Sequence, residues 1–472
     1  MALIAWYKLD GNLVDEIGDN HLTYERNTGK LVSEAGKIGG CYNRDTLNSG
    51  TDFFRTINKV NFTGDFSFSL WAKVVDATSS ANGLLTHHNH SRNAGAGITV
   101  KRISDTDYRI SCNTGTGSAR TYATYYGTSN IKDKWSLLTL VFIKETNNFS
   151  LWVNGVKEKE ITYSLLVEED YIDLFNWSTN YDNSNNYRPA ASIDDVRIYD
   201  HALSEEEIGK LSQAKVLHYR FSEGYNDSSG YNNHATPSGH QTLTVDEERN
   251  SCQFNGSGSL ATNQIFFDDL NQEWTSMAWV KITDDTVSNQ QLNNFNLGNR
   301  LIHSTSNGKA LLYGNSGTDD HYVYSTNATP TNRWVHVAFV YRVSDKTCKI
   351  YYDGELGSPS PFWGEGRLPR GFSGITNFGT YLRGLLSDVR VYATALSPED
   401  IREIYYSKTK LDEKGNLITQ LKEGAGLLSK ILNTESTQAS NFSELGITDG
   451  LTAYYPLNRN AYDYVNRKDG VV

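Results

Sequence analysis

Apolar and polar positions alternate along most of this 472-residue chain. In Phe66-Ser67-Phe68-Ser69-Leu70-Trp71-Ala72-Lys73-Val74, the residues Phe66, Phe68, Leu70, Ala72 and Val74 share one face, the period-two signature of a half-buried strand. Ala278-Trp279-Val280-Lys281-Ile282 repeats the pattern. The runs Trp135 to Phe142 and Trp334 to Tyr341 are apolar on both faces and predict central strands. Each is followed by a hairpin partner, Leu151-Trp152-Val153 before Asn154-Gly155 and Ile350-Tyr351-Tyr352 before Asp353-Gly354, where the Asn-Gly and Asp-Gly pairs supply the positive φ of a tight turn. Short helices are predicted after Ser204, which forms a capping box with Glu207, and after Ser397, where Pro398 takes the first helical position and Asp400 the box position.

These signals come in one order, written twice and begun a third time. Tyr7 precedes Asp15, Tyr219 precedes Asp227 and Tyr455 precedes Asp463 at the same spacing, in each case within an apolar opening strand. A repeat this long is a whole domain. The spacing predicts all-β domains at 1–213 and 214–407, a linker or docking segment at 408–448 with one amphipathic stretch from Leu417 to Leu432, and at 449–472 the first strands of an incomplete third copy.

Composition narrows the function. The net charge is −11 and Lys and Arg never run beyond adjacent pairs such as Arg467-Lys468 and Lys101-Arg102, so the electrostatic footprint of a nucleic-acid binder is missing. Apolar runs such as Leu137 to Ile143 are far shorter than a membrane span, which predicts no membrane insertion. Of the four cysteines, Cys41 and Cys252 match between copies and Cys112 and Cys348 do not, which is no disulfide framework. A strand beginning at Leu3 leaves no room for a secretory signal if Met1 is native.

The order of elements, and above all Ile193-Asp194-Asp195-Val196-Arg197-Ile198-Tyr199 through Ala202-Leu203-Ser204 with its second copy from Ser387 to Ser397, resembles the laminin G-like branch of the concanavalin A-like lectin/glucanase superfamily. The resemblance implies two tandem concanavalin A-like jelly-roll sandwiches. It also implies adhesion or glycan binding and, in many members, one calcium ion near the opening aspartate and the aspartate of the Asp-Val-Arg strand. Carried over, that pairs Asp15 with Asp195, Asp194 being a further carboxylate, and Asp227 with Asp388. Two carboxylates and loop carbonyls suit a hard cation. The alternative is that these aspartates cap turns by accepting nearby amides.

Trp71 and Lys73, Trp279 and Lys281, and the rings of Trp152 and Tyr351 alternate away from the core residues of their strands. An outer face bearing them could stack sugars. The competing expectation is that loops cover that face and the rings form a second small core. His87-His88 with His90 reads as a solvated loop, and Asp182 to Asn186 as at most an extra ligand beside Asp194. Paired catalytic carboxylates at alternate strand positions are absent, since Glu168-Glu169-Asp170-Tyr171-Ile172 fails at its last position, so no enzyme is predicted. The leading expectation is a non-enzymatic adhesion protein at a virion surface or tail, or an extracellular one. Its partners are a cell-surface glycan or protein receptor and other virion proteins, with a homo-oligomer open. The alternatives are a spacer or assembly protein that binds no sugar, and the carbohydrate-binding part of a longer enzyme.

Overall fold

The computed structural model describes residues 2–406, except 27, 48–50, 90–93, 117–121, 178–186, 248, 263–272, 294–298, 303–307, 316–319, 343–346 and 359–375, together with 410–411, 417–418, 462–463 and 468–469. Nearly all of the 408–448 segment and the third copy, and the run Asp182 to Asn186, lie outside the described residues.

Two pairs of antiparallel sheets follow one another along the chain. The first pair has an eight-stranded sheet in the order Val156–Thr162, Asn148–Val153, Trp135–Ile143, Phe66–Asp76, Ala190–Tyr199, Gly40–Arg44, Val32–Ala35, with Leu3–Tyr7 also pairing Ala190–Tyr199. Its companion is seven-stranded, running from Tyr122–Tyr126 through Asp107–Thr116, Ala94–Ser104, Asn82–Asn89, Asp173–Leu174 and Phe53–Thr56 to Leu22–Glu25. The second pair repeats the eight-stranded order: Glu355–Leu356, Thr347–Tyr352, Val335–Arg342, Trp274–Ile282, Arg383–Tyr392, Arg249–Asn255, Thr242–Asp246, with Lys215–Tyr219 pairing Arg383–Tyr392. Identical order in both copies is what the sequence repeat demands.

Local chemistry accounts for the elements. Asn154 and Gly155 have φ of 50° and 84°, and Asp353 and Gly354 have 49° and 82°, so both hairpins close through two left-handed residues. Ser204 and Glu207 form the capping box of the helix Glu205–Ser212, and Ser397 Oγ accepts the Asp400 amide, 3.1 Å away, at the start of Pro398–Tyr406. Each helix then buries its apolar side on the outer face of its own eight-stranded sheet. Ile208 joins Val141, Trp152 and Tyr199, while Ile401 and Ile404 join Met277, Val340 and Tyr351.

The first domain has its own interior around Phe68, Leu70, Leu140 and Ile193. The two sandwiches also pack on each other. Trp6, Ile38, Trp71 and Leu137 of the first domain belong to the same continuous cluster of buried residues as the second domain's core. Trp6 meets Tyr231 edge to face at 5.3 Å, and Arg197 Nη2 donates to the Tyr231 hydroxyl at 2.9 Å. Gly230, at φ +100°, lets the loop approach so closely that a Cβ there would sit 3.2 Å from the Trp6 ring. Gln213 and Asp400 tie the ends of the two helices across this joint at 3.2 Å.

Candidate functional site

In each domain one residue of the opening strand bridges the two aspartates that were expected to pair. Asp15 Oδ1 accepts the Trp6 backbone amide at 3.0 Å, while the Trp6 indole Nε1 donates to Asp195 Oδ1 at 2.6 Å. In the second domain Asp227 Oδ1 accepts the His218 backbone amide at 2.8 Å and His218 Nε2 lies 2.6 Å from Asp388 Oδ1. Trp6 and His218 occupy the same place in the opening strand, immediately before the repeated tyrosine. That tyrosine sends its hydroxyl to a loop carbonyl, Asn20 O at 2.6 Å or Asn233 O at 2.7 Å. The aspartate's own amide donates to His21 Nδ1 at 3.1 Å or His234 Nδ1 at 3.0 Å.

A β-bulge aims the second aspartate. Asp195 and Asp388 have φ of 48° and 50°, and the ladder register shifts beside each, between Asp194 and Arg197 and between Met277 and Trp279 of the facing strand. Aspartate tolerates this left-handed conformation better than most residues. At the same point the strand exchanges one neighbour for another: Ala191 to Ile193 pair with Gly40–Arg44, and Val196 to Tyr199 with Leu3–Tyr7. The repeated arginine two residues on folds back to the carboxylate. Arg197 Nη2 reaches Asp195 at 3.2 Å, and Arg390 reaches Asp388 through Nε at 3.0 Å and Nη2 at 2.8 Å.

The electrostatics follow from these contacts. Burial opposes ionisation of Asp388, but the Arg390 guanidinium and His218 outweigh it and hold the carboxyl well below the usual carboxylate range. Burial lowers His218 despite its acidic partner, so the imidazole is neutral at pH 7. Asp194 is the opposite case. Burial and the neighbouring Asp195 charge push its carboxyl well up, and burial raises Asp10 to about 6.

Calcium can now be tested against the donor sets. Asp227 is saturated: besides the His218 amide it accepts Ser229 N at 2.9 Å, Ser229 Oγ at 2.7 Å and Asn233 N at 2.9 Å. Asp388 has both oxygens on Arg390 and His218, so a cation would have to displace a guanidinium. The second-domain pair therefore does not fit calcium. In the first domain Asp15 Oδ2 and Asp194 Oδ1 are buried without a hydrogen-bond partner, while Asp194 Oδ2 accepts Ile38 N at 2.8 Å. Among the described residues no group of three or more His, Cys, Asp or Glu is arranged to hold a metal.

The rings expected to offer a sugar platform are covered. Trp71 is 2 % exposed, in the joint with the second domain and under Lys37 Nζ at 4.9 Å. Trp152 lies under the first helix and Tyr351 under the second. Trp279 stacks on Tyr405 at 5.4 Å, and Arg249 Cζ lies over its ring at 3.9 Å. The second-core alternative is the arrangement found. Lys73 is half-buried, and Lys281 Nζ is engaged by Asp246 and Glu247, each at 2.8 Å. His87 and His88 are also not in a solvated loop; both are buried in the strand Asn82–Asn89, His87 against Phe62 and the Val60 carbonyl and His88 against Trp177.

The chain belongs to the concanavalin A-like lectin/glucanases superfamily, whose laminin G-type profile matches residues 48–209 and 254–402, more than half of its length. Among curated proteins none matches it. Similar solved structures include domain 4 of a GH43 extracellular arabinanase from Geobacillus stearothermophilus in complex with arabinotriose, at 20% identity and TM-score 0.34, covering 45% of this chain and 98% of that one. Another is the botulinum neurotoxin serotype D binding domain, at 13% identity and TM-score 0.37, covering 84% and 98%. A third is the Ruminococcus gnavus IT-sialidase CBM40 bound to α2,3 sialyllactose, at 13% identity and TM-score 0.27, covering 32% and 82%. The fold assignment rests on the family match and the sheet order, not on these likenesses.

Proposed function

We propose that the chain is a non-enzymatic binding protein whose domains recognise glycans, or proteins bearing them, on another surface. The observation that supports this reading is the match of both domains to a lectin-containing family. The outer faces of the eight-stranded sheets are filled by helices and by the joint, so the proposal puts ligand contact on exposed loops. Tyr381 is the residue assigned to it. It is 54% exposed and held at φ +58° in the turn before Arg383, which pairs with Asp284 at 3.0 Å. An accessible ring beside charged hydrogen-bonding groups supplies both surfaces a pyranose presents, its C–H face and its hydroxyls. Calcium belongs to the proposal for the first domain only, at Asp15 and Asp195 with Asp194, where Asp15 Oδ2 and Asp194 Oδ1 are the open oxygens. Placement at a virion surface or elsewhere outside a cell is likewise part of the proposal; no helix among the described residues is long and apolar enough to cross a membrane.

The full chain on a glycan array tests the reading. Binding to a defined saccharide class, lost in Tyr381→Ala at unchanged melting temperature, is expected. Silence on every glycan would contradict it and favour the spacer reading, which the packed joint at Trp6 and Tyr231 also suits.

A further inference from the structure

The four edges of the two eight-stranded sheets are not alike. Val156–Thr162 carries Lys157, Glu158, Lys159 and Glu160 in succession, so two copies laid antiparallel about Lys159 would set Glu158 against Glu160. Val32–Ala35 includes Glu34, and Glu355–Leu356 is two residues long. Thr242–Asp246 has neither guard. It pairs on one side with Arg249–Asn255 and on the other with no strand among the described residues. Leu243 and Val245 share a face and are 42% and 66% exposed. Its one charge, Asp246, is already engaged by Lys281 Nζ at 2.8 Å and Trp334 Nε1 at 2.9 Å. Leu243 stands where the first domain has Glu34, each opposite the matching cysteine, Cys252 or Cys41. One copy of the repeat thus guards this edge with a charge and the other bares an apolar residue there.

We propose that Thr242–Asp246 is the seat of a second copy of this chain, the two edge strands pairing antiparallel about Thr244 so that two eight-stranded sheets run on as one. In that register Leu243 of each copy lies against Val245 of the other, Thr244 against its own twin, and Thr242 against Asp246. The apolar side chains fall together, no like charges meet, and the open N–H and C=O groups of both edges are satisfied. The contact is isologous and closes at two copies. It depends on neither glycan binding nor calcium.

Sedimentation velocity on the full chain over a dilution series is the experiment. The wild type should be a dimer that dissociates on dilution. Val245→Lys, at a position that contributes little to the fold, should raise the dissociation constant about tenfold or more with no change in melting temperature, and so should Leu243→Glu, which restores the first domain's residue. A wild type that is monomeric throughout, an assembly of three or more copies, or a dimer unchanged in both variants would overturn the proposal. If one variant lowers the melting temperature, the other decides.

Discussion

Arg390→Met removes the cation that contacts both Asp388 oxygens and leaves that charge hydrogen-bonded to His218, with the Lys215 and Arg249 cations acting from farther off. The side chains of Asp388 and Arg390 are only 13% and 11% exposed, so this is a buried pair, and removing one partner of such a pair costs about 3–5 kcal/mol. A domain of this size loses roughly 2–4 °C per kcal/mol, so the second domain's transition should fall by roughly 6–20 °C at pH 8. The pH dependence should also change sign. In the wild type Asp388 is depressed, so its contribution is present above the unfolded value of about 3.9 and is lost only as pH falls through the lower folded value. Over pH 5.5 to 8 the lowered His218 contributes stability to the second domain that rises with pH up to its unfolded value of about 6.5. In the variant His218 becomes the counter-charge and its folded value is raised. Its contribution is then present below about 6.5 and is lost as pH rises. Calorimetry at pH 5.5 and 8 reads both effects. A transition unmoved at pH 8, or one that still gains stability as pH rises, would refute the ion-pair reasoning.

Trp279→Ala should act through packing: its ring packs against Tyr405 and Arg249, so about 3–5 kcal/mol of stability is lost, read by urea denaturation, while any glycan affinity of the folded fraction is retained. Trp6→Phe keeps the backbone bond to Asp15 but removes the indole donor to Asp195, at a cost of about 1–3 kcal/mol in the same assay. A neutral outcome there would mean that Arg197 alone satisfies Asp195.

The strands, both Asn/Asp-Gly hairpins and the helix caps were legible in the sequence because each rests on local chemistry or on the repeat. What joins the aspartates was not. Trp6 and His218 look unrelated, yet each offers a backbone N–H and a ring nitrogen in the same two directions; their shared position before the repeated tyrosine was the available signal. Nor does an alternating pattern say what covers the second face of a strand. Trp71 points away from its own core as its spacing requires, and it is covered in the joint, where Lys37 lies over its ring and reaches the Ala393 carbonyl of the second domain. His87 and His88 misled for the same reason, since their cover, Val60 and Phe62 for one and Trp177 for the other, comes from segments outside their own strand.

Internal donors, Trp6 and His218 with Arg197 and Arg390, hold the two aspartates of each domain, and in the second domain they leave no place for a cation. Calorimetric titration of calcium into the chelator-stripped full chain tests this most directly. At most one equivalent should bind, and Asp194→Ser, the change to the second domain's residue, should abolish it. Two equivalents, or one that is lost in Asp388→Asn but kept in Asp194→Ser, would contradict the claim.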